Sequence, residues 1–132
     1  MEEFFTRQVA NEGVRLPLFY PDGRKSEHWL IVRGIDSDAF RYAELKSKRK
    51  AIELAGINND LERASAIKDE ELSCLAALIA GWSLDKELND ENVVTLLREA
   101  PQIADAVNRF AAKRSEFFVK KSDSSTPGSE LK

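Results

Sequence analysis

Apolar positions fall into short blocks whose spacing switches between alternating and helical, with turn residues at the borders. Residues 3–12 suit a short helix stopped by Gly13, because glycine accepts the left-handed conformation cheaply. Val14 to Tyr20 reads as extended, and Pro17 makes it an edge strand or an interrupted one. Pro21-Asp22-Gly23 is a turn: proline presets φ and glycine permits a positive φ. His28 to Val32 is β-branched and aromatic, hence a strand. A β-hairpin over residues 14–33 is expected, followed by Arg33-Gly34 and a loop.

Helical spacing then takes over. Ser37 is an N-cap candidate, and Asp36 and Asp38 suit the positive end of a helix dipole. The pattern predicts a helix from Asp38 to Leu54, with Phe40, Ala43, Leu45 and Ile52 as apolar points and Gly56 beyond its end. Asn59 with Glu62 resembles a capping box. It opens a helix expected to run from Asp60 to Ala80, carrying Leu61, Ala64, Ile67, Leu72, Leu75, Leu78 and Ile79. Its second half is apolar nearly all round, which predicts the central, most buried helix. Gly81 ends it. Asn89 or Asp90 caps a short helix with Val93, Val94, Leu96 and Leu97. Pro101 starts a last helix, with Ile103, Val107, Phe110, Phe117 and Phe118 on one face. The fold class expected is mainly α (α+β): four to five helices with one small N-terminal β-hairpin, in a single domain over residues 1–119. Residues 120–132 are polar and rich in Ser, Pro and Gly, and read as a disordered tail.

Composition narrows the function. The chain has 132 residues, 42% apolar and 33% charged, with a net charge of −3. A pI near 5.3 argues against a general nucleic-acid binder. Basic and acidic residues balance at eleven each over residues 1–66, so the acidity lies in the second half. The lone Cys74 excludes an internal disulfide and a multi-Cys zinc site, and in LSCLAALIA it reads as a buried, inert thiol. MEEFFTRQVA has no signal-peptide core, and no apolar run is long enough to span a membrane. A cytosolic protein is expected. No phosphate loop, nucleophile elbow, HExxH or CxxC occurs, so neither an enzyme nor a cofactor is expected.

Each remaining chemical candidate has a plainer structural reading. His28, the single histidine, lacks partners for metal or base chemistry. Asp36-Ser37-Asp38 reads as helix capping rather than a cation loop. Lys46, Lys48, Arg49 and Lys50 could meet RNA or an acidic partner, but successive helix positions point in different directions. A small regulatory or nucleic-acid adaptor using this run is the alternative function. Asp69-Glu70-Glu71 and Asp85, Glu87, Asp90 and Glu91 read as surface and capping acids. Trp82, Leu84, Phe110, Arg114, Phe117 and Phe118 are the candidate partner-binding residues, because aromatic side chains and arginine concentrate in binding hot spots. They serve equally as core. The core reading is preferred for Trp82 and Phe110, and neither reading for Phe117 and Phe118. Arg114 shares the stripe of Ile103, Val107 and Phe110, with its stem packed and its head wet.

Two regions carry a family resemblance. One runs through Pro17-Leu18, Pro21-Asp22-Gly23, Val32-Arg33-Gly34 and Asp36-Ser37 into a basic helix. The other is GWSLDKELNDENVVTLLREAPQIADAVNRFAAKRSEFF, residues 81–118. In order and spacing they resemble the tail assembly chaperones of long-tailed, non-contractile bacteriophages. The resemblance implies a host-cytoplasmic protein needed during tail assembly and absent from the finished virion. It would coat the aggregation-prone tape measure protein and help recruit tail tube subunits, in many such phages through a longer frameshifted form. It brings no catalytic residues and maps no binding residues. Homo-oligomerisation is compatible with it, and many weak copies along one long chain would gain by multivalency.

Overall fold

In the computed structural model, which describes residues 1–118, a 3₁₀ turn at Glu2–Phe4 precedes helix α1 (Arg7–Glu12). Gly13 ends α1 at φ +92°, and its amide donates to the Val9 carbonyl at 2.9 Å. Strands β1 (Val14–Phe19) and β2 (Lys25–Val32) then form the hairpin. Gly23 sits at φ +93° in the turn, and Tyr20 donates its amide to the Arg24 carbonyl at 2.8 Å. β1 is an edge strand, with Pro17 opposite Trp29. An edge position tolerates the missing amide hydrogen.

Two long helices follow. α2 (Asp38–Leu54) starts where Ser37 Oγ accepts from the Phe40 amide, and α3 (Asp60–Ala76) starts where Asn59 Oδ1 accepts from the Glu62 amide. Each cap satisfies an orphan amide. Helix α3 stops four residues earlier than its spacing predicts. The Arg33 amide donates to the Leu78 carbonyl at 2.6 Å, and its guanidinium donates to the Ala77 carbonyl at 2.9 Å. Those bonds hold the carbonyls just past the helix end, and the chain turns into β3 (Ile79–Trp82). β3 pairs antiparallel with β2, Ile79 opposite Val32 and Trp82 opposite Leu30. The expected lone hairpin is thus a three-stranded sheet in the order β1-β2-β3.

α4 (Asp90–Glu99) is capped by Asn89, and α5 (Pro101–Ala111) carries Pro101 in its first turn. A 3₁₀ turn at Arg114–Glu116 leads to Phe117 and Phe118. The mainly α (α+β) class therefore holds, with five α-helices and one small antiparallel sheet among the described residues. The polar segment 120–132 lies outside them.

The centre belongs to α5 rather than to α3, because α5 touches β1, β2, α3 and α4. Its Ala104, Val107 and Ala111 are buried with Leu18, Leu30 and Val32 of the sheet, Leu72 and Ala76 of α3, and Val93 and Leu97 of α4. Small residues on α5 let it approach the sheet closely, and the burial of apolar area is the main stabilising term. Several expected core positions face water instead. Leu45 and Ile52 on α2, and Leu61 and Ile67 on α3, are exposed, Leu61 by 85%. The α2–α3 hairpin gives Phe40, Leu72 and Ala76 to the main core, from the start of α2 and the end of α3, while Leu54 at the far end of α2 is buried outside that cluster. A second, smaller cluster joins Val9, Ala10 and Phe117, and Phe110 packs against both clusters.

Candidate partner-binding site

The α2–α3 hairpin leaves a groove of about 470 Å³ along one side, with Asn108 of α5 also in its lining. Its apolar lining is Phe40 and Ala51 from α2 and Cys74 and Leu75 from α3, and its charged lining is Glu44, Lys48 and Glu71. Residues three and four apart share a helix face. Leu45 and Ile52 therefore flank Lys48 along α2, and Ile67 stands one turn before Glu71 on α3. All three are exposed, and they extend the apolar character of the groove outward. Burial pushes the Cys74 thiol above its ordinary pKa, with smaller contributions from Glu44 and Glu70. The thiol is therefore protonated near neutral pH and acts as a small apolar group.

The six candidate residues fall into two groups. Trp82 and Leu84 lie at the end of β3, both half-buried. Trp82 packs against the main core, and its Nε1–H donates to the Lys86 carbonyl at 2.9 Å. Of the other four, Phe110, Arg114 and Phe117 tie the C-terminal end of the described chain to earlier segments. Phe117 is only 1% exposed, between Val9 and Ala10, and meets Phe110 edge-on at 5.7 Å between ring centres. Gly34 makes room for it: a Cβ at that position would lie 2.9 Å from Ala10 Cβ and 3.2 Å from the Phe117 ring. Phe118 is half-buried. Arg114 sits in the 3₁₀ turn beyond α5, not on its stripe, and donates to Asp36 through Nε at 2.6 Å and Nη2 at 3.0 Å.

Asp36 also accepts from Arg41 at 2.9 Å. The Arg114 hydrogen bond, more than that of Arg41, holds the Asp36 carboxyl below the ordinary range, against a desolvation that pushes it up. Asp38 accepts from Arg7 and Asn11, so α1, the start of α2 and the C-terminal turn share one polar seam. Of Asp36-Ser37-Asp38, then, Ser37 alone caps by side chain, while the two aspartates hold arginines distant in sequence. That pairing has no local signature. The groove has no local signature either: Glu71, Cys74 and Leu75 keep helical spacing, but which helix faces them is a tertiary matter.

The other candidates keep their plainer roles. His28 Nδ1 lies 3.2 Å from Ser83 Oγ, which also accepts the Trp29 amide. Lys46, Lys48, Arg49 and Lys50 are all exposed, with Lys46 over the Tyr42 ring. Asp69 pairs with Arg98 at 2.8 Å. Among the described residues, no cluster of His, Cys, Asp and Glu could hold a metal ion, and no helix is long and apolar enough to cross a membrane.

No curated protein and no solved structure matches the chain. A family model described as phage tail assembly chaperone matches residues 14–116, from the first strand through α5 to the turn that carries Arg114. With that match covering most of its length, the chain belongs to the phage tail assembly chaperone family.

Proposed function

We propose that this protein binds and solubilises the tape measure protein in the host cytoplasm during tail assembly, helps bring tail tube subunits to it, and stays out of the finished virion. The observation that supports this reading is the apolar-floored groove between α2 and α3, flanked by exposed Leu45, Ile52 and Ile67. Such a groove accepts the apolar stripe of an amphipathic helix, and Glu44, Lys48 and Glu71 can meet the charges beside that stripe. Trp82 and Leu84 add a second apolar contact candidate. Phe117 serves less well, since the chain already buries it.

Ala51 is exposed within the groove lining, so Ala51→Arg obstructs the groove without touching the core. Co-expression with the tape measure protein tests the reading. The wild-type chain should keep the partner soluble, and Ala51→Arg should lower the soluble fraction several-fold with an unchanged circular dichroism spectrum. A variant as effective as wild type would remove the groove from the mechanism. The complex should also survive high salt, whereas binding through Lys46–Lys50 to nucleic acid would weaken steeply with it.

Tail tube recruitment is assigned to a longer product made by a −1 ribosomal slip at Lys120-Lys121. Adjacent lysine codons can form a slippery adenine run. A gene whose codons there lack such a run, or whose −1 frame closes at once, removes this part.

A further inference from the structure

Helix α2 carries large apolar side chains on its outer side as well as in the groove. Phe40, Glu44, Ser47 and Ala51 line the groove, and an α-helix turns about 100° per residue. Leu45 and Ile52 each follow a groove residue by one position, so they stand on the side of α2 turned away from α3. They are two turns apart, about 10 Å along the helix, and form one stripe. Leu45 is 51% exposed and Ile52 78%. A helix face that meets only water is expected to be polar.

Cations bracket the stripe. By the same rotation Lys48 lies about 50° to one side of it and Arg49 about 50° to the other. Both are exposed, and among the described residues neither makes an ion pair. Lys46 and Lys50 point elsewhere, and Lys46 lies over the Tyr42 ring, so the basic run does not act as one patch. Arg41, one turn before Leu45, is held by Asp36 and Glu44. The nearest acids on α2, Glu44 and Glu53, lie about 90° from the stripe on either side. The face is thus an apolar stripe with an unneutralised cation on each flank and no acid between.

We propose that this outer face of α2 docks an acidic amphipathic helix of another protein. Such a helix carries aliphatic side chains at a seven-residue spacing, matching Leu45 and Ile52, with Asp or Glu on both flanks to meet Lys48 and Arg49. The apolar pair supplies burial, and the opposed charges steer the encounter and fix the register. A nucleic acid would use the cations and leave Leu45 and Ile52 in water. An anionic membrane is disfavoured by the net charge of −3, and two aliphatic side chains bury too little apolar area to hold it. The contact does not rest on the tape measure reading, so face and groove can each fail alone.

Fluorescence titration of the full chain with monomeric synthetic helices of about twenty residues tests the proposal. One helix carries leucine at a seven-residue spacing with glutamate on both flanks, and its counterpart has lysine in place of glutamate. The glutamate helix should bind with a dissociation constant on the order of 10 μM, and the lysine helix about tenfold more weakly or worse. The variant Lys48→Glu/Arg49→Glu should reverse that preference. Leu45→Ser/Ile52→Ser should weaken the glutamate helix about tenfold at unchanged net charge, which separates docking from charge attraction alone. All four side chains are exposed, so the circular dichroism spectra should not change. Cys74, which lines the groove, should react with thiol reagents at the same rate whether or not the glutamate helix is bound. Slower reaction would place the helix in the groove instead. Equal binding of both helices, full binding by the serine variant, or displacement of the glutamate helix by a single-stranded oligonucleotide or by a second copy of the chain would each overturn the proposal.

Discussion

Arg114 and Asp36, 78 residues apart in sequence, meet through two hydrogen bonds of 2.6 and 3.0 Å. The pair fastens the last turn of the described chain to the loop before α2. Asp36 is 23% exposed and Arg114 59%, so water screens the attraction and its contribution is modest.

Replacing Asp36 by Asn should destabilise the protein by about 1 kcal/mol at neutral pH. The carboxyl is held below the ordinary range in the folded state. Its contribution is therefore complete above the unfolded value, near pH 4, and is lost as pH falls through the lowered folded value. Urea denaturation of wild type and Asp36→Asn should show a gap at pH 7 that closes in strong acid. A gap that stays constant with pH would mean that the charge contributes nothing.

Phe117→Ala should cost about 3 kcal/mol, because it empties a site the chain itself fills. Of the two readings left open for Phe117, core and partner surface, its burial favours core. Gly34→Ala should cost about 2 kcal/mol by crowding Ala10 and the same ring. Thermal unfolding of both variants measures this, and wild-type melting temperatures would contradict the packing described.

Trp82→Ala should cost about 2 kcal/mol, less than a wholly buried tryptophan. The ring is half-buried and loses one hydrogen bond, to the Lys86 carbonyl. Chemical denaturation gives the value. A loss of partner solubilisation with no loss of stability would place Trp82 in the binding surface instead.

Cys74 should react slowly with thiol reagents at pH 7, since burial raises its pKa, and faster as pH rises toward deprotonation. Bound tape measure protein should slow the labelling further if it occupies the groove. Equal rates with and without the partner would argue for a different contact face.

Much of the fold is written locally. The α2 span, the caps at Ser37, Asn59 and Asn89, the Gly13 and Gly23 turns and Pro101 at the start of α5 are all legible, because each depends on residues a few positions apart. Strand β3 is not. The run from Leu75 to Ile79 has no period that separates a buried helix from a buried strand. Only the Arg33 bonds to Ala77 and Leu78, made across the fold, decide it. The family signal is legible in the order of turns and caps. The groove is not, because periodicity marks Leu45, Ile52, Leu61 and Ile67 as apolar without saying whether another helix will cover them. The aspartates flanking Ser37 show the same gap, since Arg114 and Arg7 reach them from far away in sequence.

Because Phe117 completes the cluster with Val9 and Ala10, synthesis imposes an order on folding. A ribosome releases the N-terminal residues first. The hairpin and α2 can take shape while later segments are still being made, but in its cluster α1 has only Val14 for apolar cover until the Phe110–Phe117 region emerges. The first helix of the chain is therefore among the last to settle. A nascent chain halted before Phe117 would leave Val9 and Ala10 uncovered, which is a state that proteases and holding factors can recognise. The cover for α1 is thus supplied by the last described turn.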